Sequence, residues 1–535
     1  MLPSPSSSPR AILENRTNVL RTPAQSKLSF SLPTPPEDRR AKRRAANTAT
    51  GGLQKRIKLS LNDSCDESSD SEESESDSDV EMEDVALVSA RSRRYTPFMT
   101  RTRAALRQPG MTRQECPSTR AILQSFVSSH KSDVYKCQST DVNAYLTPPY
   151  ACSYTHSAKN GGSPILAVAT EQGSVHVLNT SRRKDWDPEP PRTTWQTHNN
   201  GIFDAKWNMD DTLLATCSGD QSTRITCSTT NNVTHVLRGH TSTVKCIAWD
   251  PNHKDLLSTG GRDGTICIWD LRMAGATEDD EPNVLAPVIS IPGAHEEPKG
   301  KGRPRRGKHV PAPRSVTNLL YPEIGPYGLI SSGSFDGILK YWDLRLPTST
   351  RKTKSMKPKP PPTIYTSPID PTTLHDSRRP RGIIRLAAGT GPTAGLVFAL
   401  GADSRVHTYS LPSLEARKTG YVHENMQTNS FYVGLALSPC GRWLASGSTG
   451  TKGSTFLFDV TDAARVSPSA PVQKGVELKG QLGEVGAVDW AGTTLASCAD
   501  DGTVRVWRPD IETYRACVES PDERKWDWSW AVGEL

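Results

Sequence analysis

Residues 237–272 read LRGHTSTVKCIAWDPNHKDLLSTGGRDGTICIWDLR. The stretch enters on Gly239-His240 and leaves on Trp269-Asp270, with three apolar runs between them: Val244–Trp249, Leu256–Thr259 and Ile266–Trp269. Asp263-Gly264 separates the last two runs and supplies the positive φ that a tight hairpin needs. A Gly-His to Trp-Asp unit of this kind marks one four-stranded propeller blade. A buried His or Asp is tolerated only when hydrogen-bonded. His240, Ser258 or Thr259, Asp263 and Trp269 are therefore expected to form one internal network, which makes His240, Asp263 and Trp269 scaffold rather than chemistry.

The same period-2 alternation recurs from about residue 144 to residue 510. The first unit carries Ile165–Thr170 and Ser174–Asn179, and the second Gly201–Trp207, Leu213–Ser218 and Thr223–Thr226. The opening stretch is the third. A fourth begins near Gly293-Ala294-His295 and resumes with Ser315–Leu320, Gly328–Ser332 and Gly337–Trp342. The fifth has Gly382–Leu386, Gly395–Leu400 and Arg405–Tyr409; the sixth Phe431–Ser438, Trp443–Ser448 and Thr455–Asp459; the seventh Val485–Trp490, Thr494–Cys498 and Thr503–Trp507. The fold class is therefore all-β: a seven-bladed WD40 propeller, whose closure hides the sheet edges that would otherwise template aggregation. Tyr150–Tyr154 or its flank is the expected N-terminal strand that completes the last blade.

Two insertions interrupt the spacing. Residues 296–314 are basic and rich in Gly and Pro, and residues 346–381 are basic and Pro-rich; both read as loops. Their plainer reading is solvated loop, and their functional reading is contact with DNA or an acidic partner. Residues 511–535 form a C-terminal tail whose Trp526, Trp528 and Trp530 would be costly to leave in water, so they are expected to fold back or bind something.

Ahead of the propeller the composition changes twice. Residues 1–95 have too few large apolar residues for a core and read as a disordered tail. Arg39, Arg40, Lys42, Arg43 and Arg44, followed by Lys55, Arg56 and Lys58, fit a bipartite nuclear import signal; a phosphate-binding arm and a merely solvated tail are the alternatives. Asp66–Asp84 is acidic and Ser-rich and cannot pack. Ser4, Ser8, Thr22 and Thr34 each precede a Pro and are candidate phosphosites, the plainer reading being Pro-rich linker. Residues 96–143 read as a short helical and linker segment: Thr102–Gln108 and Ser118–Ser128 have helical spacing, with Ala121, Ile122, Phe126 and Val127 on one apolar face.

Totals bound the rest. The 535 residues carry a net charge of +7 that averages over strongly opposed blocks. The 11 Cys include no C-x-x-C pair, which argues against a zinc ribbon; Cys217, Cys246, Cys267 and Cys498 fall inside strand patterns and read as buried free thiols. No run of 18 apolar residues suggests a membrane span, and the N-terminus has no apolar signal core. No paired carboxylate, Ser-His pair or metal-spaced cluster stands out, so neither an enzyme nor a cofactor or metal is expected.

The residues also carry a resemblance. LRQPG (106–110), TPPYACSY (147–154), FDAKW (203–207), GGRDGTICIWDLR (260–272), SGSFDGILKYWDLR (332–345), SFYVGLALSP (430–439) and ASCADDGTVRVWR (496–508) occur in the order found in denticleless-type WD-repeat proteins. The chain resembles that family, substrate receptors of the cullin-4 RING ubiquitin ligase, in a fungal-like form with its long tail ahead of the propeller. The resemblance implies that two WDxR boxes, Trp269-Asp270-Arg272 and Trp342-Asp343-Arg345, dock on the ligase's damaged-DNA-binding adaptor. It also implies substrates whose degron is coupled to the sliding clamp and carries a basic residue, hence an acidic patch on the opposite face, and degradation of replication-licensing and cell-cycle proteins in the nucleus in S phase and after DNA damage. Gln25–Phe30 has only the start of a clamp-binding box. The alternative function is a chromatin- or histone-binding propeller scaffold.

Overall fold

Seven inner strands stand in a closed ring, each against the next: Pro149–Tyr154, Ile202–Trp207, Val244–Trp249, Val316–Leu320, Ile383–Ala388, Leu435–Leu437 and Val485–Ala491. Each starts an antiparallel sheet that runs outward from the axis. This computed structural model describes residues 118–141, 145–273, 282–296, 313–323, 325–345, 363–374, 379–465 and 473–532. The second strand of a blade lies between two neighbouring blades, so both its faces are covered. Gly328–Gly333 and Leu396–Gly401 are buried along their whole length, and their sequences are runs of apolar and small residues rather than alternations. An outermost strand such as Thr193–Gln196 meets water along most of its length. Cys217, Cys246, Cys267 and Cys498 are buried and unpaired, and burial pushes the Cys246 thiol up to about 12.

Polar side chains stitch the inner ring. Asp204 accepts from the Ile247 amide of the next blade at 3.0 Å and pairs with Arg385 across the channel at 3.2 Å. Trp207 Nε1 donates to the Ser153 carbonyl of the preceding blade at 3.0 Å, and Trp249 repeats this to Lys206. The FDAKW stretch thus holds both of its neighbours. Asp489 does the same where the ring closes, accepting from the Tyr154 amide at 2.8 Å. These bonds satisfy donors that would otherwise be buried and unpaired, so they fix blade register as well as energy.

Closure differs from the expectation. Tyr150–Tyr154 lies in the inner strand of the first blade, not the last. The seventh blade is completed by residues before 144: Phe126–Val127 pairs with Arg508–Pro509, and Val134–Lys136 with Thr503–Arg505. Residues beyond 510 also join the sheets. Trp528–Val532 lies between Val127–Ser129 and Glu477–Leu478, welding the sixth and seventh blades edge to edge. The helix over Ser118–Ser128 is correspondingly short. It spans Arg120–Gln124, buries Leu123, and leaves Ala121 and Ile122 exposed, while Phe126 and Val127 belong to the strand. A strand presents alternate residues to opposite faces, so the helical face read from spacing does not form. Phe126 meets Trp443 and Trp490 edge-on at 6.0 and 5.9 Å, and Thr119 is held by Asp459 and Trp443.

A segment read as a loop contains a strand, and two short strands lie where none was expected. Thr363–Thr366, inside 346–381, is the outer strand of the fourth blade. Asn283–Leu285 and Gln473–Lys474 run parallel to the outer edges of the second and fifth blades. Residues 1–117, most of 297–314 and 346–362 lie outside the described residues.

Candidate functional site

In each blade the loop after the first strand and the loop after the third strand emerge at one end of the propeller. Both WDxR boxes end third strands, so Arg272 and Arg345 share that end, one blade apart. The local sequence sets their direction. Trp269 and Leu271 point inward and are buried, and Leu344 packs on the core of the fourth blade. The alternating residues, Asp270 with Arg272 and Asp343 with Arg345, are left at the rim.

Each aspartate fixes its own arginine. Asp270 Oδ1 accepts from the Arg272 amide at 3.0 Å and from Nε at 2.9 Å, while Oδ2 accepts from Nη2 at 2.7 Å. Asp343 repeats the arrangement, accepting from the Arg345 amide at 3.1 Å and from Nε at 2.8 Å, with a further bond to Nη2. The arginine beside each carboxyl, through its hydrogen bonds, holds Asp270 and Asp343 below the usual carboxylate range. The arginine side chains nevertheless remain 66% and 67% exposed. A guanidinium held by its own carboxylate yet presented to solvent has already lost much of its rotamer freedom, which lowers the entropy cost of docking.

The surface between the two boxes is one unit. His253 of the third blade stacks on Tyr327 of the fourth at 6.0 Å. Leu271 N donates to Asp255 O, and Leu344 N to Tyr327 O, so each arginine loop is tied to a first-strand loop. Exposed Met273 and Tyr327 add apolar area beside the charges. Buried aromatic and arginine anchors are the groups that dominate protein interfaces. Nearby, the inner strands surround an axial cavity of about 360 Å³ whose lining includes Asp204, Arg385 and Asp489, already paired to one another or to backbone.

At the other end of the third blade lies the network read from the opening stretch. His240 Nδ1 meets Asp263 at 3.1 Å, His240 Nε2 meets Thr259 Oγ1 at 2.8 Å, and Trp269 Nε1 donates to the same hydroxyl at 2.8 Å. Thr259, not Ser258, is the hydroxyl used; Ser258 bonds to Tyr321 of the neighbouring blade. Burial opposes a charge on His240, but its bonds, led by Asp263, win and raise its pKa to about 9.

Arg39, Arg40, Lys42, Arg43, Arg44, Lys55, Arg56 and Lys58, and Ser4, Ser8, Thr22 and Thr34, lie outside the described residues. Among the described residues no group of three His, Cys, Asp or Glu is placed to hold a metal ion, and no helix is long and apolar enough to cross a membrane. One group of surface residues escaped the sequence reading: Tyr150, Phe203, Phe431 and Tyr432, which meet at the end opposite the arginines. They are up to 282 residues apart in the chain, and no local pattern joins them.

Fold and network define a WD-repeat propeller, and the family model "WD domain, G-beta repeat" matches residues 189–226, 231–270 and 473–508. The chain is 31% identical over 398 residues to the denticleless protein homolog of Danio rerio, covering 72% of this chain and 56% of that protein. It is 28% identical over 428 residues to the denticleless protein homolog of Homo sapiens, covering 76% and 53%. With the cell division cycle protein cdt2 of Schizosaccharomyces pombe it shares 32% identity over 361 residues, 65% of this chain and 67% of that protein. The chain belongs to the denticleless/Cdt2 family of WD-repeat proteins. It spans about half the length of the animal relatives it matches.

Proposed function

We propose that this chain is the substrate-recognition subunit of a cullin-4 ubiquitin ligase. It docks on the ligase's damaged-DNA-binding adaptor through Arg272 and Arg345, and recruits replication-licensing and cell-cycle proteins for ubiquitination in the nucleus. The observation that carries this reading is the pair of carboxylate-fixed, exposed arginines on adjacent blades at one end of the ring. Such forks make bidentate bonds to an acidic or carbonyl-rich partner surface without further ordering. Family membership supports the same role, in which the chain is a substrate-receptor scaffold and other subunits carry the ligase's chemistry.

A pull-down of the adaptor with wild type and with the Arg272→Ala/Arg345→Ala double variant tests it. Two central arginines are worth about 2 kcal/mol each when truncated, so the double variant is expected to lose binding by a factor of about 1,000. Equal recovery of the adaptor would refute the docking role and leave a chromatin-binding scaffold as the better reading. Persistence of the licensing factor in S phase after depletion of this protein tests the substrate role separately.

A further inference from the structure

The channel along the propeller axis is closed at one end and open at the other. At the mouth opposite the two arginines, side chains from four blades meet over the axis. The pairing of the first three inner strands shifts register at Pro149/Ala151, Ile202/Asp204 and Val244/Cys246. A bulge re-aims the residue it leaves unpaired, here Tyr150, Phe203 and Lys245. Tyr150 stacks on Phe203 at 5.8 Å and leans on Tyr432, ahead of the sixth inner strand, at 5.3 Å. Phe431 reaches Phe203 across the axis at 5.8 Å, and Lys245 Nζ lies 3.1 Å from the Phe431 centroid. None of these five side chains lines the axial cavity, so they form a plug over it. Beneath the plug the Asp204–Arg385 pair crosses the channel at 3.2 Å.

The cavity of about 360 Å³ is thus a cup that opens at the arginine end. Its rim includes His156, Met209 and Pro251, from the loops that follow the first three inner strands, and Met209 is 47% exposed. Its size falls at the lower end of the roughly 300–1,000 Å³ of ligand pockets, enough for a loop tip. Charge inside the cup is unevenly paired. Asp204 holds Arg385, and Asp489 holds Lys159 at 3.0 Å. Lys206 also lines the cavity and is half-buried, and among the described residues it forms no ion pair. It lies two residues after Asp204, so strand alternation puts both on one side, with Lys206 about 7 Å nearer the open end. A half-buried cation without an acid is an arrangement that an incoming carboxylate would relieve.

We propose that the axial cup receives a loop tip of the docked adaptor that carries a carboxylate beside an apolar residue. The carboxylate meets Lys206, and the apolar neighbour lies against Met209. Charge complementarity sets the occupant: Lys206 joins Arg272 and Arg345 as a third cation at this end, so one acidic partner surface suits all three. The two surfaces are continuous, because Pro251 on the rim and His253, which stacks on Tyr327 between the arginine boxes, belong to the same loop. The inference rests on the adaptor-docking reading for the source of the loop, and adds a contact on the axis that the arginine boxes do not contain.

The probe is the purified adaptor, titrated against the immobilised full chain by biolayer interferometry. Lys206→Gln, which removes the charge, is expected to bind it about tenfold more weakly, the size of one close charge pair. Lys206→Arg, which keeps the charge, is expected to stay within about twofold of wild type. Ala388→Trp puts an indole into the half-buried wall of the cup and is expected to lose about tenfold by exclusion of the loop. Melting temperatures follow the fold of each variant, and Lys206→Gln decides alone if the tryptophan variant does not fold. Wild-type binding by Lys206→Gln, or an equal loss in Lys206→Arg, overturns the proposal. Loss of binding in Arg272→Ala/Arg345→Ala with wild-type binding by Lys206→Gln keeps the docking role and removes the cup, whereas no adaptor binding by the wild type overturns both.

Discussion

The third and fourth blades carry the same outward sign, a Trp-Asp-Leu-Arg box, but differ inside. In the third, His240 faces Asp263 at 3.1 Å and the network from Asp to Trp269 is continuous. In the fourth, Trp342 and His295 still share a hydroxyl, that of Ser331, at 2.8 and 2.9 Å. The equivalent acid has turned elsewhere. Asp336 pairs with Arg314 at 3.5 Å, and Arg314 also lies over Phe335 and donates to the His295 carbonyl. Arg314 is the last residue of the basic insertion, so the insertion has supplied a different partner for the blade's acid. The arginine box depends on the strand end alone, whereas the His-Asp network belongs to the other end and can be rewired without it.

The largest effect is expected at the feature the two blades share. Trp269→Ala and Trp342→Ala each empty a buried indole site and are expected to cost about 3–5 kcal/mol by chemical denaturation. A far smaller cost in the fourth blade would mean that its rewiring has loosened the core as well. Next come the acids. Asp263→Asn removes a charge bonded to His240 and is expected to cost about 1.5–3 kcal/mol. Asp336→Asn is expected to be neutral or mildly stabilising by the same chemical denaturation, because burial disfavours its charge and raises its pKa.

The two histidines then separate by pH. His240 is raised to about 9 in the fold, so its contribution is fully present below its ordinary value near 6.5 and is lost as pH climbs through 9. His295 is lowered to about 3, by burial first and then by Lys340 and Arg314, so its contribution is present above 6.5 and is lost as pH falls toward 3. His240→Gln should flatten the alkaline limb of the stability profile and His295→Gln the acid limb; an exchange of those limbs would contradict the difference drawn between the blades. The smallest effect on stability is expected at the boxes themselves. Arg272→Ala and Arg345→Ala, being two-thirds exposed, should each shift stability by no more than about 0.5 kcal/mol. A larger loss would make them part of the scaffold.

Most of the blade interior was legible in the chain. Ile165–Thr170, Ser174–Asn179 and Leu213–Ser218 are strands with the bounds that alternation and turn residues suggest. The segments that misled are those whose structure is set by a distant edge. Phe126–Ser129 has four residues and a helix-like spacing, and becomes a strand because Thr503–Pro509 offers it unpaired backbone. Thr363–Thr366, read as part of a Pro-rich loop, is a strand for the same reason; in the tail Trp528 and Trp530 fold back into the sheet as expected, while Trp526 stays 76% exposed.

The number of blades, the His240 network and the two arginine boxes follow from the chain order alone, because each depends on residues within about one turn, hairpin or blade of one another. Tertiary structure alone decided how the ring closes and which residues meet at its mouth. Closure pairs strands almost four hundred residues apart, Val127 with Arg508 among them. The mouth brings Tyr150 to Tyr432 only because a closed ring turns seven local bulges and loops toward one axis. Sequence spacing carries information about near neighbours, and the contacts across a ring are made by its closure.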